Sequence, residues 1–210
     1  MTKSAPSSSP RSHATYDRLA AYYDRAMQPL EQRFLVRLRQ RALAALPTDG
    51  RILEVGAGTG ANFPFYPQAP AAGLSVASEP SHEMIVRARE KGFSSRAHLV
   101  QSRAEMLPFS DSSFDAALAT LVFCSVASPG RAFAELRRVV RPGGRIALLE
   151  HVRPEGMLGW LFDALNLITV PLFDDHFNRR TAQDARGSGL FVERVERRAC
   201  GIVQLILCRV

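Results

Sequence analysis

The sequence predicts an α/β fold, a doubly wound and mostly parallel seven-stranded sheet that ends in an antiparallel hairpin. Three observations carry this. From residue 51 to residue 150, apolar strand-like runs alternate with helical patterns, and right-handed βαβ crossovers turn such a series into a parallel sheet covered on both faces. A glycine-rich turn follows the first of these runs, as ligand-binding sheets of this kind require at their strand ends. Finally, residues 192–198 and 202–209 are two strand-like runs joined by Ala199, Cys200 and Gly201, a closing hairpin that sets an antiparallel strand within the sheet.

In chain order, residues 1–15 are rich in Ser and Pro, lack the apolar run of a secretory signal and read as a disordered tail. Residues 16–46 have helical spacing broken near Pro29, with Leu30, Phe34 and Leu38 as an apolar stripe among arginines; they read as cap helices. Residues 51–56 form the first strand, 74–78 the second, and 81–91 a helix. The third strand covers 98–102, the fourth 114–123, and a helix runs over 129–140. Arg141, Pro142, Gly143 and Gly144 are a turn before the fifth strand, 145–150. Residues 156–180 are then an insertion before the hairpin, read as a substrate lid.

The 210 residues suit one domain, 16–210, and the hydrophobic share of 46% is ordinary for a globular chain. Cys124, Cys200 and Cys208 have no metal-binding spacing, and their odd number argues against a closed disulfide framework, so a reducing cytoplasm is expected. A formal charge of +7 favours an anionic partner without choosing among nucleic acid, acidic lipid and small molecules. Arginines cluster at Arg33, Arg37, Arg39 and Arg41, and again at Arg131, Arg137, Arg138 and Arg141. Both groups read as solvated helix faces.

The chemistry concentrates in Ile52-Leu53-Glu54-Val55-Gly56-Ala57-Gly58-Thr59-Gly60, where three alternate glycines follow an apolar strand. Glycine lets backbone approach a ligand closely, and a following helix start offers unpaired amides. The spacing from Gly56 through Gly58 to Ala61 also fits a dinucleotide fingerprint, so a nicotinamide or flavin oxidoreductase is a competing reading. Glu54 lies in the strand before the glycines, a place where a carboxylate can meet a cationic amine. Glu79 ends the second strand, where a carboxylate can accept both hydroxyls of a ribose. The run Glu105 to Phe109, followed by Asp111 to Phe114, falls where an adenine would rest.

Together, ILEVGAGTG, Glu79-Pro80-Ser81, LPF before a strand opening with Phe114-Asp115, and RVVRPGG resemble the motif series of class I S-adenosylmethionine-dependent methyltransferases, whose fold is Rossmann-like. The similarity covers roughly residues 16–152 and is greatest to the ubiquinone/menaquinone methyltransferase-like group. More narrowly, ILEVGAGTGANFPFYP, LVFCSV and EHV resemble the methyltransferase-like 7 thiol methyltransferases and the bacterial phosphatidylethanolamine N-methyltransferases. The resemblance implies S-adenosylmethionine held by the Glu54 to Gly60 loop. Gly56, Ala57, Gly58 and Gly60 would surround the methionine part, Glu79 and Pro80 the ribose, Ala104 and Glu105 the adenine, and Leu121 the sulfonium. Arg103 stands where many relatives carry an acidic residue, which removes a side-chain contact to the adenine amine.

Methyl transfer from a sulfonium is an in-line displacement that needs alignment and exclusion of water, with no covalent nucleophile. His151, after the fifth strand, is the candidate base. Tyr16, Tyr23 and Asp24 lie where related enzymes fold a helix over the cofactor, and would orient substrate or close the pocket, or else simply pack. Met157, Leu161, Ala164, Leu165 and Ile168 recur at helical spacing with Trp160 alongside, as an amphipathic lid over an apolar acceptor or as ordinary core. Asp174, Asp175, His176, Asn178, Arg179 and Arg180 add polar groups for substrate, and their spacing matches no standard metal site, so no metal is expected. Cys124 reads as buried.

The expected reaction is thus methylation of a small molecule or lipid, an amine head group, a thiol or a quinone-like ring, by a monomer. A non-catalytic S-adenosylmethionine-binding protein is a further alternative. Nucleic acid is disfavoured, since there is neither an Asn/Asp-Pro-Pro-aromatic tetrapeptide nor a Pro-Cys pair. The basic helix and the apolar segment 157–173 point to an anionic membrane surface as partner, with the protein peripheral to it.

Overall fold

The computed structural model describes residues 11–66, 75–91, 97–173, 176 and 178–210. Its seven described strands are β1 (Ile52–Val55), β2 (Ser75–Glu79), β3 (His98–Gln101), β4 (Phe114–Thr120), β5 (Val140–His151), β6 (Phe191–Arg198) and β7 (Val203–Arg209). They lie in the order β3-β2-β1-β4-β5-β7-β6. Strands β1 to β5 are parallel, whereas β7 is antiparallel to both β5 and β6. The order reverses between β1 and β4, so a crevice opens at their carboxyl ends. This is the doubly wound, Rossmann-like sheet that the alternating runs predict.

Strands β1 and β4 read as continuous apolar runs because helices cover both faces, and all of Ile52, Leu53, Val55, Ala116, Ala117, Leu118 and Ala119 are buried. On one face α4 (Pro129–Val139) buries Ala132, Phe133, Leu136 and Val139 at helical spacing. Phe133 stacks on Phe123 with ring centroids 4.2 Å apart, so the loop after β4 is anchored to the core. On the other face α2 (Val36–Ala44) packs Leu38 and Ala42 against Ile52, Leu118, Leu149 and Leu205. Helix α3 (His82–Glu90) starts at Ser81, whose hydroxyl accepts from the Met84 amide at 3.2 Å.

Three local features differ from the sequence reading. Helix α1 (Arg11–Leu30) already includes residues 11–15, and residues 1–10 lie outside the described residues. Pro29 does not break the helix; the chain widens into a π turn at Glu31–Leu35 before continuing as α2. The wider turn rotates the later residues, so Leu30 is exposed and the buried stripe becomes Leu35, Leu38, Ala42 and Leu46. Finally, Arg141 to Gly144 belongs to β5 as a bulge. Phe114 pairs with Val140 and Ala116 with Arg145, so two steps on β4 oppose five on β5.

Helix α5 (Met157–Phe173) follows β5, and α6 (Thr181–Gly187) precedes β6. The inward face of α5 is mixed, and its apolar stripe turns outward. Gly159, Phe162, Asp163, Asn166, Thr169 and Val170 are turned inward, while Met157, Trp160, Leu161, Ala164, Leu165 and Leu167 are exposed. A fork from Arg153 to Asp163, at 2.8 to 3.1 Å, ties the inward face down. Among the described residues, no helix is long and apolar enough to cross a membrane.

Candidate functional site

At the carboxyl ends of β1, β2 and β4 lies a cleft partly open to solvent, whose space of about 970 Å³ includes that open solvent. Its floor is the turn after β1. The Ala57 amide donates to the Ser78 carbonyl at 3.0 Å, which holds the turn against β2. Gly58 has φ +56°, and a Cβ there would project into open space, so the residue leaves room where a ligand would rest. For Gly58→Ala the expected result is a small stability loss, about 1–2 kcal/mol from the left-handed backbone. A larger fall in cofactor affinity should accompany it; equal affinity in calorimetry would show that the turn does not touch the ligand. Gly60 does not line the cleft. A Cβ there would fall 2.6 Å from the Phe63 ring, so that glycine serves packing.

Glu79 closes the turn from the side. Its two carboxylate oxygens accept from the Gly58 amide and from the Ser81 amide, each at 2.9 Å. The side chain is buried at the cleft wall, and each oxygen keeps acceptor capacity for a further donor. Burial pushes its pKa up to about 7, against the two amides that favour the anion, while Glu54 and Asp17 add to the upward shift. Pro80 and Met84 continue this wall.

The opposite wall comes from the loop after β4. Leu121 lines the cleft in a left-handed conformation, φ +58°, a cost of about 1–3 kcal/mol that persists only where the surroundings enforce it. Here they do. The Leu121 amide donates to the Leu149 carbonyl at 2.7 Å, and the buried Glu150 carboxylate accepts from the Val122 and Phe123 amides at 3.0 and 3.2 Å. The third wall holds Arg103, Ala104 and Glu105, and the Glu105 carboxylate accepts from the Ser128 amide at 3.2 Å. That bond ties the 125–127 segment, also on the lining, to the wall of Arg103, Ala104 and Glu105.

Helix α1 covers the mouth. Tyr23 is on the lining. Asp24 instead accepts from the Thr59 hydroxyl at 2.6 Å and pairs with Lys91 at 2.7 Å, and Asp17 accepts from the Ser81 hydroxyl at 2.5 Å. Both carboxylates latch the helix to the rim of the cleft. The side chain of Tyr16 is outside what the structure describes.

Beneath the cleft lies a buried polar network that the sequence reading missed. Arg39, only 5% exposed, pairs with Glu31 at 2.5 Å and donates to Asn62 at 3.2 Å and Thr120 at 2.5 Å. Asn62 donates in turn to Glu54 at 2.7 Å, and the Tyr66 hydroxyl donates to the other Glu54 oxygen. Burial raises the Glu54 pKa, while Tyr66, Asn62 and Arg39 oppose that. The buried Tyr66 hydroxyl is pushed well above its usual range by desolvation and by Glu54. Glu54 therefore meets Asn62 and Tyr66 and is not on the cleft lining, whereas Arg39 and Thr120 are.

The residues expected to take the acceptor are dispersed. His151 ends β5 opposite Val203, half-buried and off the cleft lining. Trp160 is 75% exposed, on the outward face of α5, because the helix turns its apolar stripe outward. The His176 amide donates to the Cys124 carbonyl at 2.9 Å, and Arg179 donates to the Val126 carbonyl at 2.8 Å. Both brace the cleft loop from behind. Asp174 lies outside the described residues. Cys124 is buried, as its apolar neighbours implied.

Residues 53–148 match the family described as "Methyltransferase domain". A thiol S-methyltransferase of Mus musculus is 36% identical over 148 residues, 65% of this chain and 59% of that protein. A ubiquinone/menaquinone biosynthesis C-methyltransferase of Paracoccus denitrificans is 34% identical over 169 residues, 76% of this chain and 67% of that protein. A phosphatidylethanolamine N-methyltransferase of Cereibacter sphaeroides is 38% identical over 132 residues, 60% and 64% of the two chains. The chain thus spans about three fifths of the length of the mouse relative it matches. In fold it is similar to a S-adenosylmethionine-dependent methyltransferase of Thermotoga maritima, with a TM-score of 0.71 at 24% identity, covering 93% of this chain and 98% of that one. The glycine turn, the buried carboxylate beside it and these relatives agree: the chain belongs to the S-adenosylmethionine-dependent methyltransferases of the ubiquinone/menaquinone methyltransferase-like group.

Proposed function

We propose that the protein transfers a methyl group from S-adenosylmethionine to a small-molecule or lipid acceptor bearing an amine, a thiol or a quinone-like ring. The observation that carries this reading is Glu79, buried and held by the Gly58 and Ser81 amides, facing the space left by Gly58. The residues present fit the cofactor: Glu79 and Pro80 for the ribose, Gly56, Ala57 and Gly58 for the methionine part, Ala104 and Glu105 for the adenine, Leu121 beside the sulfur. When bound, the cofactor supplies an electrophilic methyl group. The chain's own part is to position and to exclude water. Val122 and Val126 make an apolar wall, the strained Leu121 turn fixes the approach, and α1 with Tyr23 covers the mouth.

The acceptor classes rest on the relatives, one named for thiols, one for quinone biosynthesis and one for a phospholipid amine. A lipid-like acceptor would be met at a membrane surface, peripherally. The test has two arms. Calorimetry should show micromolar binding of S-adenosylmethionine and its demethylated product, and binding of NADH in their place would reject the reading in favour of an oxidoreductase. Incubation of a cell extract with radiolabelled cofactor should place label in the lipid or small-molecule fraction; label in protein or nucleic acid would overturn the acceptor class.

A further inference from the structure

Thr120, the last residue of β4, lines the cleft and is only 6% exposed. Its hydroxyl oxygen receives two groups that can only donate, Nη1 of Arg39 at 2.5 Å and the side-chain amide nitrogen of Asn62 at 2.9 Å. A hydroxyl has two acceptor lone pairs and one hydrogen, so both lone pairs are spent and the hydrogen is left to be given. Among the described residues no acceptor takes it. Arg39 repeats the pattern. Its Nε and one Nη2 hydrogen go to Glu31, and its Nη1 hydrogens go to Asn62 and Thr120. Of the five guanidinium hydrogens, one on Nη2 is then unspent among the described residues. Arg39 is buried on the same cleft lining, and Glu31 is not part of that lining. A buried donor without an acceptor is costly, and two in direct contact point to a ligand that accepts from both.

The strand order says which part of a ligand they meet. Along β3-β2-β1-β4 the cleft presents Arg103 to Glu105 after β3, Glu79 at the end of β2, the glycine turn after β1, and Thr120 at the end of β4. With neighbouring strands about 4.8 Å apart, the first and last of these are on the order of 14 Å apart. A nucleoside with its base beside β3 and its ribose at Glu79 therefore lays its 5′ substituent across the glycine turn towards Thr120. In S-adenosylmethionine that substituent is an amino acid, with one ammonium and one carboxylate. Arg39 and Thr120 offer hydrogens alone, so they disfavour the ammonium and suit the carboxylate.

We propose that Nη2 of Arg39 and the Thr120 hydroxyl form a carboxylate subsite that makes the cleft specific for a nucleoside carrying an amino acid. The proposal deepens the methyltransferase reading above and rests on it. Glu31 orients the guanidinium, while Asn62, itself held by Glu54, joins Arg39 in filling the Thr120 lone pairs and so makes that hydroxyl a donor. The pair is set before the ligand arrives, which leaves little ordering to be done on binding.

Calorimetry on the full chain with S-adenosylmethionine and with its decarboxylated form, which keeps the amine and the sulfonium, isolates the subsite. The wild type should bind the decarboxylated form roughly ten- to hundredfold more weakly, the range for hydrogen bonds to a charged group. In Arg39→Met and in Thr120→Val, S-adenosylmethionine affinity should fall about tenfold while the decarboxylated form binds nearly as before, so the gap narrows. Thr120→Ser keeps a hydroxyl and should keep the gap. A merely structural role predicts an equal loss for both ligands with the gap intact, and that result overturns the subsite. Equal binding of the two forms by the wild type also overturns it, needs no variant to fold, and leaves the methyltransferase reading standing. Binding of neither form by the wild type overturns that reading, and the subsite with it.

Discussion

Cofactor affinity should rise steeply with pH and do so through Glu79. A ribose donates its hydroxyl hydrogens, so it needs the carboxylate ionised, yet burial has raised that group to about 7 in the protein alone. Between pH 8 and pH 5.5 the ionised share falls by roughly thirtyfold, and the affinity for S-adenosylmethionine should fall nearly as far, with proton release on binding near neutrality. The stability of the cofactor-free protein should run the other way. A carboxylate raised from 4.5 to about 7 contributes fully below pH 4.5 and loses that contribution as pH rises through 7, on the order of 3 kcal/mol at most. Glu54, raised in the same direction, adds to this slope, so the comparison must be with Glu79→Gln. That variant should flatten the affinity profile and weaken binding at pH 8 by about 1.5–3 kcal/mol. A profile as steep as that of the wild type would remove Glu79 from the ribose site.

Arg39→Met should give the largest stability loss of any single surface-named arginine. Removing it leaves Glu31, Asn62 and Thr120 without their common donor and takes a positive charge from near the buried Glu54. Breaking one partner out of a buried charge network costs about 3–5 kcal/mol, which for a chain of this size lowers Tm by roughly 10 °C. Arg39→Lys keeps the charge but cannot fork to three partners, and should fall between. By contrast Arg37→Met, on the exposed side of the same helix, should change Tm by little. Equal melting of Arg39→Met and wild type would show the network to be energetically idle.

Most of the sheet was legible because strands buried on both faces and their crossover helices leave long, unambiguous patterns. The turn at Gly58 and the carboxylate at Glu79 were legible for the same reason: their chemistry is local to strand ends. What was missed depends on where helices turn. Arg39 looked like one of four solvated arginines, yet it follows Leu35 by four positions and precedes Ala42 by three, which is the inward row of its helix. The π turn hid that row by shifting the spacing past Pro29. Glu150 was read only as the end of a strand, since its two amide donors lie 27 and 28 residues earlier. The apolar spacing of α5 was read correctly as a stripe but on the wrong side, because periodicity gives a face and not the direction in which it points.

The place of β7 in the sheet bears on how the chain is made. Strand β5 pairs with β7 over seven positions, from Arg145 opposite Arg209 to His151 opposite Val203, although the two are separated by the whole of α5 and α6. During synthesis β5 therefore leaves the ribosome with one row of amides and carbonyls open, and stays so while more than fifty further residues are added. An open edge of a central strand is a template for pairing with another chain. The nascent protein thus passes through an aggregation-prone interval that ends only when its final hairpin slides in, and slow translation of that stretch would lengthen it.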